Sequence, residues 1–173
     1  MIPTAYKTVK TMAEFEALMI ELHSFQVASL DTETYGDFLT GTILSVQFST
    51  KVGTGWVIPF YKTGPEYSEP TERCWTVEEN DYIWKMLKSY LENPDKKKVG
   101  QNIKYDYQFF HYYNVRLKGI IFDTMLGHSS LMRMLKASMT LGHWQRNILT
   151  WGIIQPICQR YWVSLLPKWG RCP

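Results

Sequence analysis

Apolar residues recur at three- and four-residue spacing from Ala13 to Leu22 (Phe15, Leu18, Met19, Leu22), with Glu14, Glu16 and Glu21 between them. That rhythm predicts an amphipathic helix. It then gives way to a strand rhythm. Val27–Thr34 is a β-type run ending in polar residues, and Tyr35–Thr42 carries two glycines and reads as a turn. Ile43–Ser49 and Gly55–Phe60 alternate as strands do, and three closely spaced strands predict an antiparallel meander. Lys62–Arg73, rich in Pro, Gly and Glu, reads as a surface loop. Thr76-Val-Glu-Glu79 has the form of a capping box and opens a helix through about Leu91, which Asn93-Pro94 stops. Val99-Gly100 reads as a short strand end, Ile103–Tyr113 as an aromatic-rich helix, Ile120–Phe122 as a strand and Thr124–Leu131 as the start of another helix. The order predicts an α/β fold: a mixed sheet, an antiparallel meander followed by parallel strands, flanked by helices.

A length of 173 residues suits one domain with a real core. No apolar run approaches a membrane span, and Met1–Lys10 lacks the basic-then-apolar pattern of a secretory signal. Three cysteines without a CxxC pair point to neither a disulfide framework nor a zinc site, so the expected setting is reducing and cytoplasmic. The formal charge of +3 hides an asymmetry: all sixteen acids lie between Glu14 and Asp123, against thirteen bases in the first 123 residues. From Thr124 to Pro173 there is no acid, while Arg133, Lys136, Arg146, Arg160, Lys168 and Arg171 are basic. Such a tail suits nucleic acid. Lys96-Lys97-Lys98, by contrast, reads as a solvated turn.

Candidate chemistry begins with Asp31-Thr32-Glu33 at the end of the first predicted strand. Residues two apart in a strand project from one face, so both carboxylates aim at one spot. Held together they repel, and either one takes up a proton or a cation neutralises both. Hard divalent cations such as Mg²⁺ favour an oxygen-rich setting of this kind; a strand end with two solvated acids has the same sequence. Asn102 and Asp106 lie four apart and share a helix face, with Asn102 placed to cap that helix after the strand. Asp123, at the end of a later strand, suits an N-cap for the helix after it better than a metal ligand.

Three ordered segments, Leu30-Asp-Thr-Glu-Thr34, Lys98-Val-Gly-Gln-Asn-Ile-Lys-Tyr-Asp106 and Gly119-Ile-Ile-Phe-Asp-Thr-Met125, resemble the 3′–5′ proofreading exonuclease domain of A-family DNA polymerases, a branch of the DEDD exonucleases on an RNase H-like fold. The resemblance covers about Val27 to Leu131. It implies that Asp31, Glu33 and Asp106 bind two divalent metal ions, Mg²⁺ or Mn²⁺, with Asp31 bridging them and Asn102 in support. It further implies hydrolysis at a single-stranded DNA 3′ end, releasing a nucleoside 5′-monophosphate, and a polymerase domain or replication machinery as partner. Tyr35 and Phe38 become candidates for stacking on bases, or are ordinary turn and core aromatics. A non-catalytic single-stranded nucleic-acid-binding module and an RNase D-like exoribonuclease are the alternatives.

The chain departs from that family in one respect. The family carries a third motif, Tyr-x-x-x-Asp or His-x-x-x-x-Asp, whose Asp is a fourth metal ligand and whose Tyr or His positions the attacking water. No Asp follows Asp123 here, so His128, His143 and Tyr161 cannot belong to such a motif. The expected division is therefore an exonuclease domain over 1–131, incomplete at its C-terminal end, and an atypical tail over 132–173. That tail holds four of the seven tryptophans and has poor periodicity. Leu141–Gly152 can be back-translated so that the adjacent frame encodes an amphipathic peptide of the family's type, the pattern that a shift of reading frame near Leu131–Arg133 leaves. With the fourth acid missing, weak or absent nuclease activity is expected.

Overall fold

A computed structural model of the chain describes residues 5–37, 39–63 and 69–139, with side chains described up to Arg133. Phe38 and the tail beyond Met139 lie outside the described residues. Strand β1 (Ala5–Thr8) leads into helix α1 (Met12–Ser24). Thr11 accepts from the Glu14 amide at 3.2 Å while the Glu14 carboxylate accepts from the Thr11 amide at 3.2 Å, so a reciprocal capping box opens this helix. Its apolar stripe, Phe15, Leu18, Met19 and Leu22, is buried as the spacing predicts.

The predicted meander is present. Strands β2 (Val27–Tyr35), β3 (Thr42–Ser49) and β4 (Thr54–Pro59) pair antiparallel in sequence. The turn between β2 and β3 needs its glycines: Gly36 has φ +80°, and a Cβ on Gly41 would lie 2.2 Å from the Asp37 carbonyl oxygen. Strand β1, which the periodicity did not reveal, adds to the far side of β4 in parallel. Four residues of mixed polarity give alternation too little length to show. A second departure is the segment read as a surface loop. There β5 (Tyr61–Thr63) and β6 (Pro70–Arg73) pair as a separate antiparallel ribbon, with Pro70 at the start of its strand, where a missing N–H costs least.

Helix α2 (Val77–Leu91) starts at the second capping box, Thr76 with Glu79, and buries Ile83, Leu87, Tyr90 and Leu91. Strand β7 (Lys97–Gly100) then lies parallel to β2, α3 (Ile103–Tyr112) follows, and β8 (Ile120–Asp123) lies parallel to β7 before α4 (Thr124–Met139). The six-stranded sheet runs β1-β4-β3-β2-β7-β8, antiparallel in its middle and parallel at its edges. The core joins the helical stripes to the sheet through residues such as Phe15, Leu30, Phe48, Ile58, Leu87 and Phe110. No helix among the described residues is long and apolar enough to cross a membrane.

The three-lysine run is not a solvated turn. Lys96, Lys97 and Lys98 stand at the C-terminal ends of two helices, where free carbonyls gather. Lys96 Nζ donates to the carbonyls of His23 in the last turn of α1 and of Phe25 just after it, at 2.5 and 3.2 Å, and Lys97 Nζ donates to that of Pro94 at 2.8 Å. Lys98, 0% exposed, donates to Tyr90, Leu91 and Asn93 at 2.9, 3.1 and 2.8 Å, and so closes the end of α2. A run of like charge gave no sign of this because each lysine is matched to backbone dipoles far off or behind it in sequence.

Candidate functional site

Strand β2 outruns its neighbour. Its pairing with β7 ends at Ser29↔Val99, while its pairing with β3 continues through Tyr35. Residues 30–35 therefore leave one edge of β2 uncovered by β7, beside the turn into α3. Gly100 ends β7 close against this edge; a Cβ there would lie 3.1 Å from the Leu30 carbonyl oxygen. The first turn of α3 faces the same place, and it carries Asp106.

Asp31 and Glu33 fall on one face of β2 as predicted, both part-buried, with a register shift only after Glu33. Their direct cross-strand neighbours on β3 are Gln47 and Ser45, both buried. Asp106 is 3% exposed, and its Oδ1 accepts from the Thr32 hydroxyl at 2.6 Å. Burial, then the charges of Asp106 and Glu33, push the Asp31 carboxyl up to about 7 against the backbone N–H of Thr32, which pulls it down. Burial lifts Asp106 to about 6, opposed first by the Thr32 hydroxyl and assisted by the charge of Asp123. Glu33 is raised by burial. The three acids thus share one electrostatic neighbourhood.

Asn102 stands at the N-cap position of α3, but its side chain does not cap the helix. Its backbone is left-handed, with φ 49° and ψ 38°, a conformation that Asn tolerates better than most residues. The cap comes instead from Asp123 at the end of β8. Asp123 Oδ1 accepts from the amides of Asn102 at 3.0 Å, Met125 at 2.8 Å and Leu126 at 3.3 Å, and Oδ2 accepts from the amide of Ile103 at 2.9 Å. The N-cap role read for Asp123 holds for α4 and extends to α3. A single carboxylate is a good partner for two helix N-termini, since both present partial positive charge.

Tyr35 lies exposed at the end of β2, its hydroxyl donating to Glu69 at 3.5 Å. Tyr105 was not singled out from the sequence, yet it is 42% exposed and its hydroxyl is 2.8 Å from Thr34 Oγ1, beside both motifs. Thr32 carries no signal of its own in the sequence, since it stands between two acids that draw the reading. Gln47 could have been noticed, because an amide in the middle of an apolar strand is unusual and here it is 4% exposed.

Among the described residues, no three Asp, Glu, His or Cys side chains are drawn together tightly enough to form a ready-made ion cage. The donor chemistry nevertheless fits a hard cation: three carboxylates, and beside Asp31 a buried Gln47 Oε1 that has no hydrogen-bond partner and can still accept from a bound water. Without a cation the cost of gathering the acids falls on the folded state. Between the ordinary Asp value of 3.8 and about 7, folded Asp31 keeps a proton that the unfolded chain has lost. Stability from this group therefore falls as pH rises through that window. A cation that needs the ionised acids should reverse this, so Mg²⁺ is expected to raise the melting temperature more at pH 8 than at pH 5.5. An equal rise at both values would separate the cation from these carboxyls.

A 3′–5′ exonuclease family profile matches residues 6–141. DNA polymerase I of Pseudomonas aeruginosa is 31% identical over 124 residues, which cover 70% of this chain and 13% of that protein. DNA polymerase I of Borreliella burgdorferi is 30% identical over 122 residues, 70% of this chain and 12% of that protein. This chain thus spans a small fraction of the length of those relatives. In fold it is similar to Trypanosoma brucei RNase D in complex with RNA U12, with a TM-score of 0.52 at 16% identity over 68% of this chain and 37% of that one. The agreement of a family match over most of the chain with this mixed sheet, and with motifs that meet at one strand edge, leads to one conclusion: the chain belongs to the 3′–5′ exonuclease domain family of A-family DNA polymerases.

Proposed function

We propose that this chain removes nucleotides from single-stranded 3′ ends of DNA by metal-assisted hydrolysis, the proofreading type of reaction, with Asp31, Glu33 and Asp106 as the metal-holding acids. The observation that carries the reading is the 2.6 Å hydrogen bond from Thr32, which stands between Asp31 and Glu33, to Asp106 at the edge of β2 that β7 leaves uncovered. Two Mg²⁺ or Mn²⁺ ions, when bound, would neutralise these acids, activate a water and stabilise the leaving 3′ oxygen. The chain's own part is to hold that charge in place. Asp31 and Glu33 present oxygens from one strand face, and Asp106 does so from the first turn of α3. Tyr105 and Tyr35 offer exposed rings on which terminal bases can stack; Phe38, the other stacking candidate, is outside the described residues.

Turnover is slow in this reading, because the family's fourth acid is not among residues 124–173. The division into an exonuclease unit over 1–131 and a tail over 132–173 goes with it, the tail arising from a shifted frame. Sequencing the gene across the codons of Leu131–Arg133 is expected to show an adjacent frame that restores a family-like helix; an unshifted frame in related genes would remove that explanation.

The activity test uses 3′-labelled single-stranded DNA and RNA of one sequence, with Mg²⁺ or Mn²⁺. The expected result is slow release of nucleoside monophosphate from DNA that needs the metal and falls at least about tenfold in Asp31→Asn. Faster trimming of RNA would reassign the substrate to the RNase D type. Salt-dependent strand binding without any release would leave a binding module. Release that survives chelation or the Asp31→Asn change would remove the site from the reaction.

A further inference from the structure

Thr32 lies between the two acids of the first motif, and strand alternation turns its side chain to the face opposite theirs. It nevertheless touches the third acid. Its hydroxyl is 2.6 Å from Asp106 Oδ1, and both groups are shielded from water, with Thr32 8% and Asp106 3% exposed. Its backbone N–H acts on the carboxyls of both Asp31 and Asp106. The geometry is explicable from the sheet. Because β7 stops pairing at Ser29, the edge of β2 at Thr32 has no strand beside it, and the first turn of α3 brings Asp106 there instead.

We infer that Thr32 is a positioning residue for the metal-holding acids: its hydroxyl fixes the rotamer of Asp106, so that one oxygen is held by the strand and the other remains free for a cation shared with Asp31. This rests on the metal-site reading above. A dry O–H···O⁻ bond at this distance is among the stronger hydrogen bonds available to a side chain. Without it, only backbone N–H groups, its own and that of Thr32, remain to direct the Asp106 carboxyl, and a group less firmly held has to be ordered at the moment an ion binds. Losses of this kind around metal sites run to about ten- to a hundredfold in affinity.

The experiment is a Mn²⁺ titration of the full chain followed by electron paramagnetic resonance, which counts free ion and needs no turnover. The variants are Thr32→Val, which keeps the shape and removes the hydroxyl, Thr32→Ser, which restores it, and Asp31→Asn and Asp106→Asn as references. Melting temperatures without metal accompany each titration. Thr32→Val is expected to weaken Mn²⁺ binding about tenfold, with Thr32→Ser within about twofold of the parent. If Thr32→Val lowers only the metal-free melting temperature and binds Mn²⁺ as the parent does, while Asp106→Asn is weakened, the positioning role is overturned and the site stands. If Thr32→Ser binds as poorly as Thr32→Val, the hydroxyl is not the cause and the role is likewise overturned. If Mn²⁺ binding is absent in the parent or unchanged in both Asp variants, the metal site itself fails, and the inference with it.

Discussion

Replacing Lys98 with methionine is expected to lower the free energy of unfolding by about 3 kcal/mol, read as an earlier midpoint in urea at unchanged slope. The side chain is 0% exposed and its ammonium donates to the carbonyls of Tyr90, Leu91 and Asn93. Tyr90 and Leu91 end α2, where their carbonyls also accept the backbone N–H of Asn93 at 3.3 Å and of Lys118 at 3.0 Å, and Asn93 follows the helix; the methionine stem would fill the same space while offering these carbonyls nothing. A buried acceptor without a partner costs about 1–3 kcal/mol, which falls on the Asn93 carbonyl, while those of Tyr90 and Leu91 each lose a charged second donor. An opposing effect limits the loss. Burial, with the nearby charges of Lys97 and Lys96, draws the Lys98 pKa down to about 8, so the native ammonium is itself held at a cost that the variant escapes. The carbonyls decide the sign because methionine removes the charge but cannot remove them. A change of well under 1 kcal/mol would mean that water reaches the end of α2 and caps it equally well.

Much of the fold was legible because its signals are local and redundant. The stripe Phe15–Leu22, the box at Thr76 and the strand runs of β3 and β4 each extend over several turns or residues, and each element stands in the structure, although β3 and β4 are buried on both faces and do not alternate in exposure. What escaped was short or non-local. Strand β1 is four residues long, and the β5–β6 ribbon brackets a segment whose Pro and Gly content spoke for a loop. The errors about polar residues have one cause: a side chain's partner is chosen by tertiary contact. Asn102 has the composition of an N-cap and sits at one, yet the acceptor arrives from Asp123, twenty-one residues later. Lys96–Lys98 look like a surface run until helix ends are placed beside them. For the same reason the motif spacing could suggest that Asp31, Glu33 and Asp106 converge, but not that Thr32 links them or that Gln47 lies across from Asp31.

The second large effect belongs to Asp123. Changing it to alanine is expected to cost about 3 kcal/mol of stability and, separately, to weaken Mn²⁺ binding by about tenfold. Its carboxylate accepts from four amides, two at the start of α3 and two at the start of α4. Loss of a side-chain cap costs about 1 kcal/mol per helix, and the interaction of a negative charge with each helix N-terminus adds up to about 1 kcal/mol more. Helix α3 has no substitute, since the Asn102 side chain makes no cap bond and its left-handed backbone is held by the Asp123 contact. Asp106 stands one turn into that helix, so fraying of the first turn moves a carboxyl that has to meet Asp31 within a cation's reach. Asp123→Asn is the informative companion: it keeps an acceptor for one helix and loses the charge, and should fall between the parent and Asp123→Ala in both measurements. If Asp123→Ala lost stability yet bound Mn²⁺ like the parent, Thr32 alone would suffice to place Asp106, and the cap would be a matter of folding only. If both quantities fell together and Asp123→Asn recovered them in part, then the same carboxylate that ties two helices to the edge of the sheet would also set the geometry of the acids beside it.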